Sequence, residues 1–113
     1  MATHPGSSPS AEPTMTVAVV NGSRAVLVLA GELRAENLRE LEQLLAGPSL
    51  EEAAEWLVEM GDVTRLDLAC AYALLRAVTL RPEPAVLTIR GARRHVQRTF
   101  RHSGLDTVAI TDG

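Results

Sequence analysis

Lysine is missing from the 113-residue chain: all eleven basic side chains are arginine. Aromatics are scarce as well, Trp56, Tyr72 and Phe100 being the whole set. Without lysine, and with Phe100 alone among the aromatics in the arginine-rich part and needed for the core, the chain lacks the interleaved basic and aromatic surface that binds nucleic acid. Cysteine occurs once, as Cys70, which excludes an internal disulfide and a cysteine-based metal cluster. Its place in an apolar helical pattern reads as a small buried hydrophobe. No run approaches the roughly 20 apolar residues of a membrane helix, and the N-terminus lacks the basic start and apolar core of a signal peptide. The expectation is a cytoplasmic protein with no membrane insertion.

Catalytic signatures are missing too. The chain has no glycine-rich phosphate loop, no H-E-x-x-H and no C-x-x-C. His95 and His102 stand seven residues apart in a helical segment with no acid or cysteine beside them, a pattern of surface histidines rather than metal ligands. Ser23, Ser49 and Ser103 lack any motif that would supply a positioned base. The chain reads as a non-enzyme without cofactors.

The length suits one small domain. Net charge is −3, unevenly spread. Acids dominate from Glu32 to Asp62, whereas Arg90 to Arg101 holds five arginines and no acid, so the molecule is dipolar. Residues 1–14, MATHPGSSPSAEPT, contain three of the six prolines and almost no large apolar side chain, and read as a disordered tail that leaves Met15 as an alternative start. The domain then runs over 15–113. Val17, Val19 and Val20, a turn at Asn21-Gly22 and the apolar run Ala25 to Ala30 make a hairpin. Glu36 to Ala46 is an amphipathic helix with Leu38, Leu41, Leu44 and Leu45 on one face, stopped by Gly47-Pro48. Ser49 with Glu52 three residues on has the spacing of a capping box for one further helical turn.

The chain is organised around Leu57 to Leu75, LVEMGDVTRLDLACAYALL. Trp56 to Met60 reads as a buried strand that turns through Gly61 and Asp62. Leu68, Ala71, Leu74, Leu75 and Val78 then recur on one helical face, with Asp67 placed to cap the first free N–H groups. A helix N-terminus of this kind is a common seat for a phosphate or a partner's acidic group. Beyond it come a strand, Ala85 to Arg90, a helix, Gly91 to His102, with Val96 and Phe100 inward, and a last short strand, Thr107 to Ile110. The order β-β-α-β-α-β-α-β, with right-handed crossovers, predicts an α/β domain. Its sheet is small and mostly parallel, about five strands with one antiparallel edge hairpin, and helices pack against it.

Three stretches together resemble a known family. VLVLAGELRAENLRELEQLL (26–45) is similar to the strand, G-E-L-D turn and first helix of STAS domains, the fold of bacterial anti-sigma factor antagonists. EMGDVTRLDLACAYALL (59–75) resembles their central D-L-S-G-V-x-x-I-D-S-S-G-L-x-x-L-L, and TIRGARRHVQRTFRHSGL (88–105) their later strand and helix. The likeness covers about Thr16 to Ile110. It implies a partner, an ATP-binding serine kinase that also sequesters a sigma factor and phosphorylates the serine after the second aspartate, so that phosphate at the helix N-terminus ends binding. Carried over residue by residue, that aspartate is Asp67, the acceptor serine falls on Leu68, the next serine on Ala69 and the glycine on Cys70. The aspartate of the G-E-L-D turn falls on Arg34, and an earlier strand-end aspartate on Glu59. The resemblance implies a partner surface of Arg34, Asp62, Thr64, Asp67, Leu68, Ala69 and Tyr72, with no phosphorylation at Leu68, which has no hydroxyl. Two roles follow: an unswitchable antagonist-like binder of an anti-sigma kinase, or a STAS subunit bracing the ATPase of a lipid-exporting ABC transporter. Either leaves room for a homodimer.

Overall fold

The computed structural model describes residues 13–21 and 23–112. A five-stranded sheet is built in chain order, β1 (Thr14–Asn21), β2 (Arg24–Leu33), β3 (Glu55–Leu66), β4 (Val86–Arg90) and β5 (Ala109–Asp112). β1 is antiparallel to β2 and every later pair is parallel. The α/β expectation and the antiparallel edge hairpin therefore stand. The tail read over 1–14 lies, for residues 1–12, outside the described residues, as does Gly22 of the hairpin turn.

Between the strands run α1 (Leu38–Leu45), the short α2 (Pro48–Glu51), α3 (Leu68–Thr79) and α4 (Arg94–Ser103). Because each parallel strand is added on the same side of the last, right-handed crossovers place these helices on one face of the sheet. Strand periodicity obeys that layering. Ala25, Leu27 and Leu29 of β2, Trp56, Val58 and Met60 of β3, and Leu87 and Ile89 of β4 are buried beneath the helices. Their alternate neighbours Val28, Glu59 and Arg90 face away, and a Glu59–Arg90 ion pair at 3.6 Å spans two of the strands there. From above, Leu41 and Leu45 of α1, Leu74 and Val78 of α3, and Val96 and Phe100 of α4 complete the core.

Three expectations need correction. The central strand does not turn at Gly61-Asp62: β3 continues to Leu66, because β2 runs on beside it and pairs Ala30 with Asp62, Gly31 with Val63 and Leu33 with Leu66 across two register shifts. Val63 and Leu66 are buried by that extension. β4 stops short of it, its pairing with β3 ending at Glu59–Arg90. There Gly91, at φ 76°, comes so close to Gly61 that an added Cβ would lie 3.0 Å from the Gly61 Cα, so a glycine is required on both counts.

Ser49 does not cap α2. Gly47 is the N-cap and Pro48 the first residue, since proline's fixed φ and missing N–H suit that position and start the turn ahead of the serine. The last strand begins at Ala109, not Thr107, because Leu105–Thr107 forms a single 3-10 turn after the left-handed Gly104 that ends α4.

Candidate functional site

Asp67 connects β3 to α3 through extended backbone, and its carboxylate accepts the Ala69 N–H at 2.9 Å. Its carbonyl takes the N–H groups of Cys70 and Ala71, and its own N–H is bonded to the Leu33 carbonyl at 2.8 Å. The last of these ties the start of α3 to the end of β2. A second tie is the Cys70 thiol, which lies 3.5 Å from the Arg34 carbonyl. Two loops far apart in sequence are thereby stitched into one surface.

Most of the helix N-terminus is thus answered by the chain's own groups. The acidic cap answers the Ala69 N–H and the Asp67 carbonyl those of Cys70 and Ala71, and the carboxylate's own negative charge makes the place a poor seat for an external anion. What faces outward instead is apolar. Leu68 is 40% exposed and Tyr72, one turn on, 38%, whereas Ala71, Leu74 and Val78 of the same helix are buried.

Arg34 also lies here, exposed in the extended backbone between β2 and a 3-10 turn at Ala35–Asn37. Its N–H donates to Asn37 Oδ1 at 2.9 Å, and its guanidinium donates to Glu32, with Nε at 2.8 Å from Oε1. That hydrogen bond and the nearby charge raise the Arg34 pKa further above its ordinary value. The positive charge at the position where the resemblance expects an aspartate is therefore balanced two residues away. Glu32 was not among the sequence candidates. The signal for it is period two: on extended chain, residues 32 and 34 point to the same side.

The other candidates are less closely grouped. Ala69 is half-buried beside the cap. Asp62 is exposed on β3 opposite Ala30 and stands five residues before Asp67, up to about 16 Å back along the strand. Thr64 is half-buried, and its carbonyl accepts from His95 Nε2 at 2.6 Å. His95 is thereby the residue that anchors α4 to the end of β3, a contact across 31 positions that no local pattern announces. Cys70 is fully buried, and burial, with the charges of Asp67 and Glu42 adding to it, pushes its thiol up to about 11. It is a packing residue, inert at neutral pH. Among the described residues no group of three or more His, Cys, Asp or Glu side chains could hold a metal ion.

A one-sided α/β sheet thus carries, where β3 passes into α3, a small apolar outcrop on a helix start capped by its own aspartate. The sequence family model described as "Mlab, STAS domain" matches residues 18–111, and the chain belongs to the STAS domain family. Among solved structures it is similar to the anti-sigma factor antagonist SpoIIAA in its unphosphorylated form, at 13% identity over 87% of both chains with a TM-score of 0.65. A comparison with curated protein sequences finds no significant match. The likeness to SpoIIAA is one of fold; at the level of side chains the site is this chain's own. No helix among the described residues is long and apolar enough to cross a membrane.

Proposed function

We propose that this STAS domain is a non-enzymatic docking module, antagonist-like, that binds an ATP-binding anti-sigma kinase through the start of α3 and the adjoining β2 turn, and does so without a phosphorylation switch. The observation that carries the reading is Leu68. It occupies the position that the family resemblance assigns to the phosphoacceptor, it has no hydroxyl, and it stands exposed beside Tyr72 on backbone held by the Asp67 cap. An exposed leucine at the centre of an interface contributes about 1.5 to 3 kcal/mol when covered. Arg34 and Glu32 form a charged rim to that apolar centre. Docking of this kind is constitutive, controlled by the amount of protein rather than by its modification.

The same observation favours a second reading, a STAS subunit that braces the ATPase of a lipid-exporting ABC transporter, because a permanent brace has no use for a switch. Crosslinked affinity capture from the native cell, with wild type and Leu68→Glu side by side, decides between them. Wild type is expected to retain an ATP-binding kinase, and Leu68→Glu, which sets a charge where the family sets phosphate, to lose it at least a hundredfold. A transporter ATPase in its place, lost in the same way, establishes the second reading. Equal recovery of any one partner by both chains removes this surface from the interface.

A further inference from the structure

The sheet ends in two edges that are guarded differently. β5, the outer strand on one side, is four residues long and closes on Asp112. β1, the outer strand on the other, is eight residues long, TMTVAVVN, with no charged side chain, no proline and no glycine, and five of the eight are β-branched. A long uncharged edge of this composition is the kind that accepts a further strand, since soluble proteins ordinarily blunt such an edge with charge, proline or a bulge. Here the guards stand only at its ends: Pro13 before it, and a register shift between Val19 and Asn21. Between them no strand among the described residues pairs with the outward N–H and C=O groups. Thr14, Thr16 and every residue from Ala18 to Asn21 are exposed.

We infer that β1 is the interface of a symmetric homodimer, in which the β1 strands of two copies pair antiparallel about a two-fold axis and join the two sheets edge to edge. Symmetry restricts how they can meet. Residues directly opposite in an antiparallel pair point to the same face, and a two-fold that brings two copies of one edge together antiparallel stands normal to the sheet. Helix-side residues therefore meet helix-side residues. Met15, Val17 and Val19 take the helix side, registered with the buried Leu29, Leu27 and Ala25, and Thr16 and Ala18 take the open side, registered with Val28 and Val26. An axis through Val17 sets Met15 against Val19, Val17 against its own copy and Thr16 against Ala18, and it stays clear of the register shift. Each of these cross-strand pairs is uncharged, so a second copy meets no like charge anywhere along the strand. Val19, 56% exposed in the single chain, is then covered by Met15 of the second copy. A second copy is the occupant that fits at every one of these positions and is always present with the edge. The strand shares no residue with the surface at the start of α3, and the inference is independent of what docks there.

Sedimentation velocity of the full chain over a range of concentrations is expected to show a reversible dimer, and amide exchange within Met15 to Val19 to slow at alternate residues as the dimer fills. Thr16→Lys with Ala18→Lys sets lysine against lysine at both Thr16–Ala18 contacts and should weaken the dimer at least about tenfold. Thr16→Lys with Ala18→Glu sets lysine against glutamate at the same two contacts and should restore the affinity of wild type. Both positions are exposed on the open side of the sheet, and circular dichroism melts confirm that the variants fold. If the first double variant does not, the second and the amide exchange of wild type decide alone. A chain that stays monomeric at its highest soluble concentration overturns the proposal, whether or not an extended strand of another protein then takes the edge. A dimer that both double variants weaken alike, that neither affects, or that leaves β1 exchange unchanged overturns it as well, because the contact then lies on another surface, the open face of the sheet included.

Discussion

The two ends of α3 are built from the same materials and finished differently. At the N-terminal end, the Leu33 and Arg34 carbonyls accept from the Asp67 N–H and the Cys70 thiol, the Asp67 carboxylate accepts from Ala69, and the apolar pair Leu68 and Tyr72 stands exposed. At the C-terminal end, the helix stops at Leu80, whose backbone N–H donates to the Arg76 carbonyl, and Arg81 keeps a buried nitrogen without an acceptor among the described residues. A surface whose polar groups are already paired offers shape and area, which suits the flat face of another protein. The two ends of one helix thus differ in how their polar groups are answered, and the segment between them decides whether they stay separate.

The strongest test of that separation is the middle of the helix. Leu74 is fully buried between the two ends, and Leu74→Ala should cost about 3 kcal/mol in urea unfolding from lost burial and the cavity left behind. Hydrogen exchange in the folded variant should rise at both ends together. A rise confined to one end would mean that α3 is two independent pieces and that its ends need no common support.

Cys70 distinguishes the ends by pH. Its thiol is held protonated in the folded chain up to about 11, against 9.0 for the free group, with burial the main cause. The neutral form is the one the fold prefers, so this stability is whole below about pH 9. It is lost as pH rises toward 11, where the unfolded chain ionises and the folded one resists. The loss is on the order of 2 kcal/mol. Thermal melts across that interval should fall for wild type and fall less for Cys70→Ala. Parallel curves would place the pH sensitivity elsewhere.

The N-terminal end was far more legible in the sequence than the C-terminal one. Asp67 before an apolar 3.6-residue pattern announces its own cap, and the cap is there. Leu68 stands out only against the family pattern, since nothing local marks a leucine at the start of a helix as exposed. The reach of β3 past Gly61 escaped because a glycine and an aspartate in a row are ordinary turn residues, and only the long partner β2 keeps them extended. Ser49 and Glu52 had capping-box spacing, but the proline ahead of them set the start of the helix. At the C-terminal end, Trp56, Glu51 and Arg81 come from three separate segments. Their meeting is a product of packing, and no spacing rule connects a tryptophan to an arginine 25 residues on.

Removing the cap should affect one end alone. Asp67→Ala is expected to lower stability by about 1 kcal/mol, the usual worth of an N-cap side chain, with Asp67→Asn close to wild type because an amide oxygen can still accept the Ala69 N–H. Faster hydrogen exchange at Ala69 to Ala71 with unchanged exchange at Val78 and Thr79 is the expected pattern. Equal stability of wild type and Asp67→Ala would show that the bond to the Leu33 carbonyl, which involves the backbone only, already holds the turn.

The smallest effect concerns the contact that links this end to the arginine-rich helix. His95 is exposed, and its Nε2 reaches the Thr64 carbonyl at 2.6 Å, so the proton must sit on that nitrogen whatever the charge of the ring. An exposed side-chain bond of this kind contributes about 0.5 to 1 kcal/mol. His95→Ala should cost no more than that. Its consequence should be local: α4 packs on α3 and on β3, and the start of α4 would loosen from the end of β3 while Val96 and Phe100 keep the rest of the helix seated. Backbone amide shifts confined to Val63 to Leu66 and Arg94 to Val96 would bear this out. Shifts that spread along α3 to Leu80 would mean instead that the two ends communicate through α4, and the separation argued above would have to be drawn across the helix pair rather than along one helix.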